Sequence, residues 1–228
     1  MVQTLFNDIE ASMPDFKVRP QQLEMSQFIA DRLQNTEHQR MAVVEAPTGV
    51  GKTLAYIAGA IDTALTQKKM LVISTATVNL QQQLLQKDLP EFAKATGKDI
   101  KFIQAKGRRR YLCPSKLNSV VEDNQQDLSF DVDGKYQKAK RQSRAKEIFI
   151  QWDKGQWDGD RDSRSDSIEP ALWHEISTDS EGCAGKSCSK YQRCPYYLVR
   201  KEMMTAQIIV ANHDLVLSDA DLGGGLVL

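Results

Sequence analysis

Short runs of consecutive apolar residues alternate along the chain with stretches in which apolar residues recur at helical spacing. Four runs have the length of a buried strand, and they cover residues 41–44, 70–73, 100–103 and 207–211. Helical patterns follow the first two runs, at residues 54–65 and 78–95. This order predicts an α/β fold, with a parallel sheet covered on both faces and ligands bound at the carboxyl ends of its strands.

Two helical segments are expected before the first apolar run. Leu5, Ile9 and Phe16 predict a short amphipathic segment, which Pro14 interrupts. A second helix should open at Arg19 and pack against the core, because its apolar residues lie at helical spacing. These residues are Leu23, Met25, Phe28, Ile29 and Leu33.

A glycine-containing loop joins the first apolar run to the next helix. Its two glycines permit backbone angles that let successive N–H groups surround a polyphosphate at the helix N-terminus. Lys52 would then contact the β- and γ-phosphates, and the Thr53 hydroxyl would bind Mg²⁺. A glycine turn that binds nothing is the alternative. The predicted nucleotide loop consists of Ala46, Pro47, Thr48, Gly49, Val50, Gly51, Lys52 and Thr53.

Polar residues near the loop and after the second run are further candidates for ligand contact. The Gln22 amide, with Arg19 nearby, both donates and accepts and so suits an adenine edge; a solvated helix start explains both residues equally well. Thr75 and Thr77 lie where hydroxyl groups suit the backbone of a nucleic acid. Helix capping is the alternative for Thr77.

Composition limits the class of protein. The 228 residues are 41% hydrophobic and 26% charged, which is ordinary for a folded protein. The 30 basic and 30 acidic residues cancel, so attraction to nucleic acid must come from local patches. The apolar stretches are far shorter than the ~20 residues that cross a bilayer, and the first residues lack the pattern of a signal peptide. We therefore expect a cytoplasmic protein without a membrane partner.

The alternation of strands and helices stops between residues 110 and 207. Residues 115–180 are rich in charge, with a basic stretch followed by an acidic one. We interpret this region as an inserted subdomain, and we assign no chemistry to His174 or to the three tryptophans. The acidic stretch around Asp160 is expected to be a flexible, solvated loop, which argues against a two-metal nuclease site.

All four cysteines lie at the edges of this insertion, with Cys113 at its start and Cys183, Cys188 and Cys194 near its end. Disulfides are disfavoured in the cytosol, so shared ligation of a metal is the better explanation. The spacing Cys-x69-Cys-x4-Cys-x5-Cys leaves one ligand alone, which suits a 4Fe-4S cluster better than a zinc site made of two knuckles. Zinc and free or oxidised thiols remain alternatives, and sulfur atoms beyond ligand distance would argue against the cluster.

A basic run stands immediately before Cys113. It brings four cations and an aromatic ring within six residues, which predicts a grip on a phosphate backbone with a ring for base stacking. A solvated basic loop is the alternative. The candidate contacts are Lys106, Arg108, Arg109, Arg110 and Tyr111.

Several motifs occur together in an order that resembles a known family. The loop alone would be generic, although Ala46 in place of the usual first glycine looks like the helicase form. The motifs are Met13-Pro-Asp-Phe16, Arg19-x-x-Gln22-x-x-Met25, Glu45-Ala-Pro-Thr-Gly-Val-Gly-Lys-Thr53, Ser74-Thr-Ala-Thr77, Lys106-Gly-Arg-x-x-Tyr-x-Cys113, Cys183-x4-Cys188-x5-Cys194 and Val210-Ala-Asn-His213. Over almost the whole chain, they resemble the bacterial DinG family of iron-sulfur DNA helicases, which belongs to superfamily 2 and is related to XPD.

The resemblance implies a RecA-like motor domain in residues 1–110 and 201–228, interrupted at 111–200 by a mainly helical iron-sulfur subdomain. It implies an ATP-driven motor that moves 5′ to 3′ on single-stranded DNA and unwinds duplexes, forks or R-loops, as in DNA repair. Lys52 and Thr53 would hold ATP and Mg²⁺, while Arg19 and Gln22 would help to recognise the adenine. The cluster would brace the point of strand separation.

The sequence departs from this family in one respect, because it contains no Asp-Glu-x-His segment. That acidic pair positions the attacking water in such motors, and an arginine from a second motor domain stabilises the transition state. We therefore expect this chain alone to bind nucleotide weakly and to hydrolyse it little, and a second chain is one way to complete the motor.

Two other functional classes stay open on the sequence. A non-catalytic module that binds single-stranded DNA independently of ATP would explain the missing acidic pair. A small-molecule kinase would explain the loop but leaves the cysteines and the basic run without a role.

Overall fold

The computed structural model describes residues 2–35, 41–123 and 132–224, the side chains of 132–135 excepted. Within these ranges the chain forms two compact units. The first comprises the described residues up to Ala105 and from Met203 onward, and the second spans Lys106–Glu202. Residues 225–228, part of the predicted return to the motor domain, lie outside the described residues.

The first unit contains a small sheet, and helices precede, separate and follow its strands along the sequence. Its elements are α1 (Val2–Ser12), α2 (Pro20–Gln34), α3 (Lys52–Thr66), β1 (Leu71–Thr75), α4 (Val78–Gln83), α5 (Leu89–Thr96), β2 (Phe102–Gln104), β3 (Ile208–Asn212) and α10 (His213–Asp221). A π-helical turn at Leu84–Asp88 joins α4 to α5, with Leu89 N–H donating to the Leu84 carbonyl. Pro90 follows directly and has no N–H, which favours such a shift in the hydrogen-bond ladder.

The three strands form a parallel sheet in the order β1-β3-β2. Leu71 and Phe102 both pair with Ile208, so the carboxyl ends of all three strands meet at one edge. The central strand β3 is buried from Ile208 to Ala211, whereas Val72 on the outer strand β1 is 38% exposed. The parallel sheet confirms the predicted α/β class, although one face of the sheet is open at β1.

The strand predicted at residues 41–44 does not form, and this part of the prediction is wrong. Met41 is 72% exposed and Val43 is 85% exposed. A strand requires a neighbour for its N–H and C=O groups, and none of the described strands pairs with this run. An apolar run alone therefore did not suffice to make a strand here.

The core of the first unit joins the N-terminal helix to the sheet. Phe6 and Ile9 of α1 pack with Ile57 and Ile61 of α3 and with Val210 of β3. Each of these five side chains is at most 2% exposed. Truncating one such side chain to Ala typically costs about 2–5 kcal/mol, so the predicted amphipathic segment at the N-terminus is part of the fold.

The second unit is mainly helical. It contains α6 (Pro114–Glu122), α7 (Val132–Asp153), α8 (Pro170–Ile176) and α9 (Pro195–Met203), whose last residue belongs to the first unit. Short 3₁₀ turns lie at Arg108–Arg110, Arg161–Ser163, Gly185–Ser187 and Tyr191–Arg193. Among the described residues, no helix combines the length and the apolar character that crossing a membrane requires.

The three tryptophans of the second unit lie in its core, together with Leu117 and Ile148. The acidic stretch is largely exposed, as expected for a solvated loop, but Asp160 is an exception. Asp160 accepts a hydrogen bond from the backbone N–H of Asp162, and its side chain is only 16% exposed. Trp157 donates from Nε1 to the Asp160 carbonyl, which anchors the stretch to the core.

Candidate nucleotide and nucleic-acid sites

The predicted nucleotide loop is a glycine turn that leads directly into α3. Gly49 and Gly51 both have φ +86°, a left-handed conformation that residues with a side chain rarely adopt. Gly51 is the residue before the helix, which begins at Lys52. The two glycines therefore have the conformational role that the sequence predicted.

The Lys52 ammonium lies across this loop. Its Nζ donates to the carbonyl oxygens of Ala46 at 2.9 Å and Pro47 at 3.0 Å, and the side chain is exposed. These bonds hold a positive charge where the backbone curls back on itself. An anionic phosphate entering the loop would offer the ammonium a stronger, charge-assisted partner than two neutral carbonyls.

Gln22 is 3% exposed, which excludes the solvated helix start as its explanation. Its Nε2 donates to the carbonyl oxygen of Gly51 at 3.0 Å. Its Oε1 is buried and has no hydrogen-bond partner. A buried unpaired acceptor is costly, so Oε1 is available to a donor from a ligand. Arg19 lies just before α2 and is exposed.

A cavity of about 290 Å³ lies against Gln22 and the loop. Its lining is mostly apolar and includes Met13 and Phe16 from the segment after α1, with Thr53 and Asp88 among its polar groups. Burial raises the pKa of the Asp88 carboxyl, while a hydrogen bond from Gln83 opposes that rise. The role of the motif Met13-Pro-Asp-Phe16 is not evident from the sequence. The tertiary structure brings both ends of that motif to the nucleotide loop.

The two threonines predicted to contact a nucleic-acid backbone, at the end of β1, both make hydrogen bonds within the protein, but only Thr75 is buried. Thr75 is 4% exposed, and its hydroxyl donates to the Thr77 carbonyl at 3.1 Å. The Thr77 hydroxyl accepts from the Leu80 N–H at 3.3 Å, so helix capping does explain this residue. A further contact, for which the sequence carries no signal, lies beside them, where the Ser74 hydroxyl is 2.6 Å from Nδ1 of His213.

Three of the four cations of the basic run are ion-paired within the second unit. Lys106 contacts Asp160 and Asp162, Arg110 contacts Asp162, and Arg109 contacts Asp179. The carboxylates lie 52 to 70 residues further along the chain. Nucleic-acid phosphates would therefore compete with these carboxylates for the basic run.

The fourth cation, Arg108, lies among tyrosines and a cysteine. Its Nη1 donates to Cys183 Sγ at 2.9 Å and to the Tyr197 hydroxyl at 3.1 Å, and its guanidinium carbon lies 4.2 Å from the Tyr196 ring centre. Tyr111 packs edge-on against the same Tyr196 ring and is 3% exposed. The expectation that Tyr111 offers a ring for base stacking is therefore wrong for this conformation.

The four cysteines are free thiols, each half-buried. Burial raises the pKa of Cys194, and its neighbours Cys113 and Cys183 raise it further, while the N–H groups of Tyr197 and Tyr196 oppose the rise. Two of the other predicted ligands, Cys113 and Cys183, thus lie within electrostatic reach of Cys194. However, among the described residues no three His, Cys, Asp or Glu side chains are placed to hold a metal ion. The donor chemistry suits an iron-sulfur cluster, but the expected four-cysteine centre is not formed here.

Comparison with known proteins identifies related sequences. A family model described as DEAD/DEAH box helicase matches residues 26–129. The ATP-dependent DNA helicase DinG of Escherichia coli K12 is 38% identical over 217 residues, which cover 93% of this chain and 30% of that protein. The protein of the same name from Photobacterium profundum is 37% identical over 229 residues, covering 100% of this chain and 33% of the relative. The chain thus spans about a third of the length of these curated relatives.

Proposed function

Since this chain belongs with the DinG-like helicases, as an N-terminal part of such a protein, we propose that it supplies the nucleotide-binding half of an ATP-dependent DNA helicase. In this proposal the first unit belongs to a RecA-like motor domain and the second unit is the insertion that interrupts it. The protein acts in the cytoplasm, where it translocates 5′ to 3′ on single-stranded DNA and unwinds duplexes, forks or R-loops during DNA repair.

The nucleotide site is the best supported part of this proposal. The observation that carries it is the buried Gln22 amide, bonded to the loop at Gly51 and leaving Oε1 unpaired beside a cavity. A base with an exocyclic amine, such as adenine, can donate to this oxygen. Lys52 then contacts the phosphates and Thr53 binds Mg²⁺, and catalysis requires little more from these residues than positioning and charge stabilisation.

The names of the relatives support DNA as the partner, and we propose that the strand bound is single-stranded. The basic run is the proposed contact in the second unit, with Arg109 as its most accessible cation at 71% side-chain exposure. A DNA phosphate that replaces the carboxylate would offset the loss of the ion pair. Because contacts between cations and phosphates release counterions from DNA, the binding affinity should fall steeply as the salt concentration rises. In the first unit Thr77 is a further proposed backbone contact, because its exposed hydroxyl accepts from the Leu80 N–H and can still donate to a phosphate, while the buried Thr75 holds Thr77 in place.

A 4Fe-4S cluster on Cys113, Cys183, Cys188 and Cys194 is a further proposal. Its support is the cysteine spacing and the proximity of Cys113 and Cys183 to Cys194, whose pKa both of them raise. Cluster ligands are spread over separate iron atoms, so their sulfur atoms need not converge on one point. When bound, the cluster would cross-link the segment before α6 to the segment before α9.

We also propose that this chain alone hydrolyses ATP little, because its sequence contains no Asp-Glu-x-His segment to position the attacking water. A second polypeptide or further residues of the same protein would then complete the motor. The lack of an Asp-Glu-x-His segment also favours one competing function, that of a DNA-binding module that makes no use of ATP.

Nucleotide binding and DNA binding, measured on the same preparation, test the proposal. We expect a fluorescent ATP analogue to bind in the presence of Mg²⁺, and Lys52→Ala to weaken binding at least tenfold. Lys69→Ala, which removes an exposed charge beyond the other end of α3, is the matched control and should bind normally. Salt-sensitive binding of a labelled oligonucleotide with no response to the ATP analogue in either protein would favour the ATP-independent module.

Iron, sulfide and zinc analysis after anaerobic purification tests the cluster separately. About four iron and four sulfide per chain, lost in Cys113→Ser, would support the cluster. One zinc per chain would replace it with a structural zinc site. Absence of both metals from a folded, anaerobically prepared protein would refute a resident metal centre.

A further inference from the structure

The carboxyl edge of the sheet carries polar side chains from every strand, but most of them are already used. Thr75 donates to a backbone carbonyl, and Asn212 caps α10 by accepting from the Leu215 N–H. Gln104 donates to Gln81 at 2.8 Å, and Gln81 is 5% exposed. These hydrogen bonds hold the ends of the strands in place.

Ser74 and His213 differ from these groups because they face solvent. Ser74 is half-buried near the end of β1, and His213 is exposed at the first position of α10, directly after β3. Their side chains meet at 2.6 Å although 139 residues separate them. The pairing of Ser74 with Ala211 in the sheet register brings them together.

The hydrogen bond determines which atom of His213 is free. Nδ1 is occupied by Ser74, and in the described part of the chain the ring makes no second hydrogen bond. When the Ser74 hydroxyl donates to Nδ1, the proton of the neutral imidazole resides on Nε2. An exposed Nε2–H is then held in a fixed direction as a donor.

We propose that His213, oriented by Ser74, donates from Nε2 to a backbone phosphodiester of single-stranded DNA. This inference rests on the proposed DNA-binding function and adds a residue to it. The exposed carboxylate of Asp214, next in sequence, disfavours a free phosphate dianion and is better tolerated by a diester with one charge. His213 thereby contacts the DNA at the carboxyl edge of the sheet.

Binding of a labelled oligo-dT to the whole chain, measured by fluorescence anisotropy, tests this role. Loss of one hydrogen bond to a charged oxygen predicts that His213→Ala weakens binding about tenfold. His213→Gln, which can place an amide N–H near the position of Nε2, should recover most of that loss. Ser74→Ala leaves the donor unoriented and should cause a smaller loss, of about threefold.

The salt dependence separates this contact from a cationic one. A neutral donor releases no counterion, so the slope of log affinity against log salt should be the same for His213→Ala and the parent chain. Loss of a cationic contact would reduce the slope by about 0.7 for a single strand. His174→Ala, which removes an exposed histidine of the second unit, is the matched control, and thermal unfolding of every variant verifies its fold.

The outcomes distinguish this inference from the function on which it rests. If the parent chain binds no oligonucleotide at low salt, the DNA-binding proposal fails and this inference with it. If the parent binds and a folded His213→Ala binds equally well, the inference alone is wrong. Displacement of the oligonucleotide by submillimolar inorganic phosphate, abolished in His213→Ala, would indicate a free-phosphate site and would also overturn it.

Discussion

Gln22 and Gly51 fit together so closely that each restricts the other. The Gln22 Nε2 donates to the Gly51 carbonyl at 3.0 Å, and a Cβ atom added to Gly51 would lie 2.2 Å from the same Nε2. The amide of α2 therefore occupies the space that a side chain at Gly51 would need. This contact joins the predicted adenine-binding residue to the predicted phosphate-binding loop.

Substitution of Gly51 by Ala should impair both folding and nucleotide binding. The new Cβ would displace the buried Gln22 amide and would also strain a left-handed backbone, which alone costs about 1–2 kcal/mol. Gly49→Ala is the matched control, since Gly49 has the same φ of +86° but nothing within 4 Å of an added Cβ. Urea unfolding should show a clearly larger loss for Gly51→Ala, and equal losses would contradict the importance of the Gln22 contact.

Removal of the Gln22 amide should change the preference for the nucleotide base. Gln22→Ala deletes the donor to Gly51 and the unpaired acceptor, so we expect weaker binding of ATP and little change for GTP. The lost hydrogen bond should also lower the free energy of unfolding by about 1 kcal/mol. Competition of unlabelled ATP and GTP against a fluorescent analogue measures the preference, and an unchanged ratio would mean that Gln22 does not contact the base.

Arg108 and Arg109 are adjacent, yet their substitution should have different consequences. Arg108 donates hydrogen bonds to Cys183 and Tyr197, and its guanidinium stacks on the Tyr196 ring. Arg108→Ala should therefore lower the free energy of unfolding of the second unit by about 1.5–3 kcal/mol. The Arg109 side chain is 71% exposed, so Arg109→Ala should change stability by less than about 1 kcal/mol. Thermal unfolding of the two variants makes the comparison, with oligonucleotide binding expected to weaken in folded Arg109→Ala.

Stability of the second unit should fall below about pH 4. A hydrogen bond from Arg164, helped by Arg144, lowers the pKa of Asp166 to about 2. An unfolded Asp titrates near pH ~4, so the favourable contribution is complete above that pH and is lost as the pH falls towards about 2. The Asp166 side chain is 43% exposed, so solvent screening should limit the loss to less than about 1 kcal/mol.

The pH dependence can be assigned with two variants. Asp166→Asn should flatten the stability curve between pH 4 and pH 2, and Arg144→Gln should reduce its slope in part. Urea unfolding at each pH provides the measurement. A slope that is as steep in Asp166→Asn as in the parent chain would assign the pH dependence to other carboxylates.

The sequence by itself determined the elements whose signals are local. The two glycines before Lys52, the apolar runs of β1 and β3 and the helical spacing in α2 and α3 predicted their structures, because these patterns depend on neighbouring residues. The first apolar run does not form a strand, because a local pattern alone does not provide the partner that a strand needs. Strand formation requires pairing with another part of the chain, and no described strand lies beside residues 41–44.

Only the tertiary structure decided which candidate residues are free to act. The basic run before Cys113 looks available in the sequence, but its partners Asp160, Asp162 and Asp179 lie 52 to 70 residues away. Ser74 and His213 show no relation in the sequence, yet the sheet register brings them into hydrogen-bond contact. Side-chain chemistry is fixed by residue type, whereas access and pairing depend on long-range contacts that only the folded chain creates.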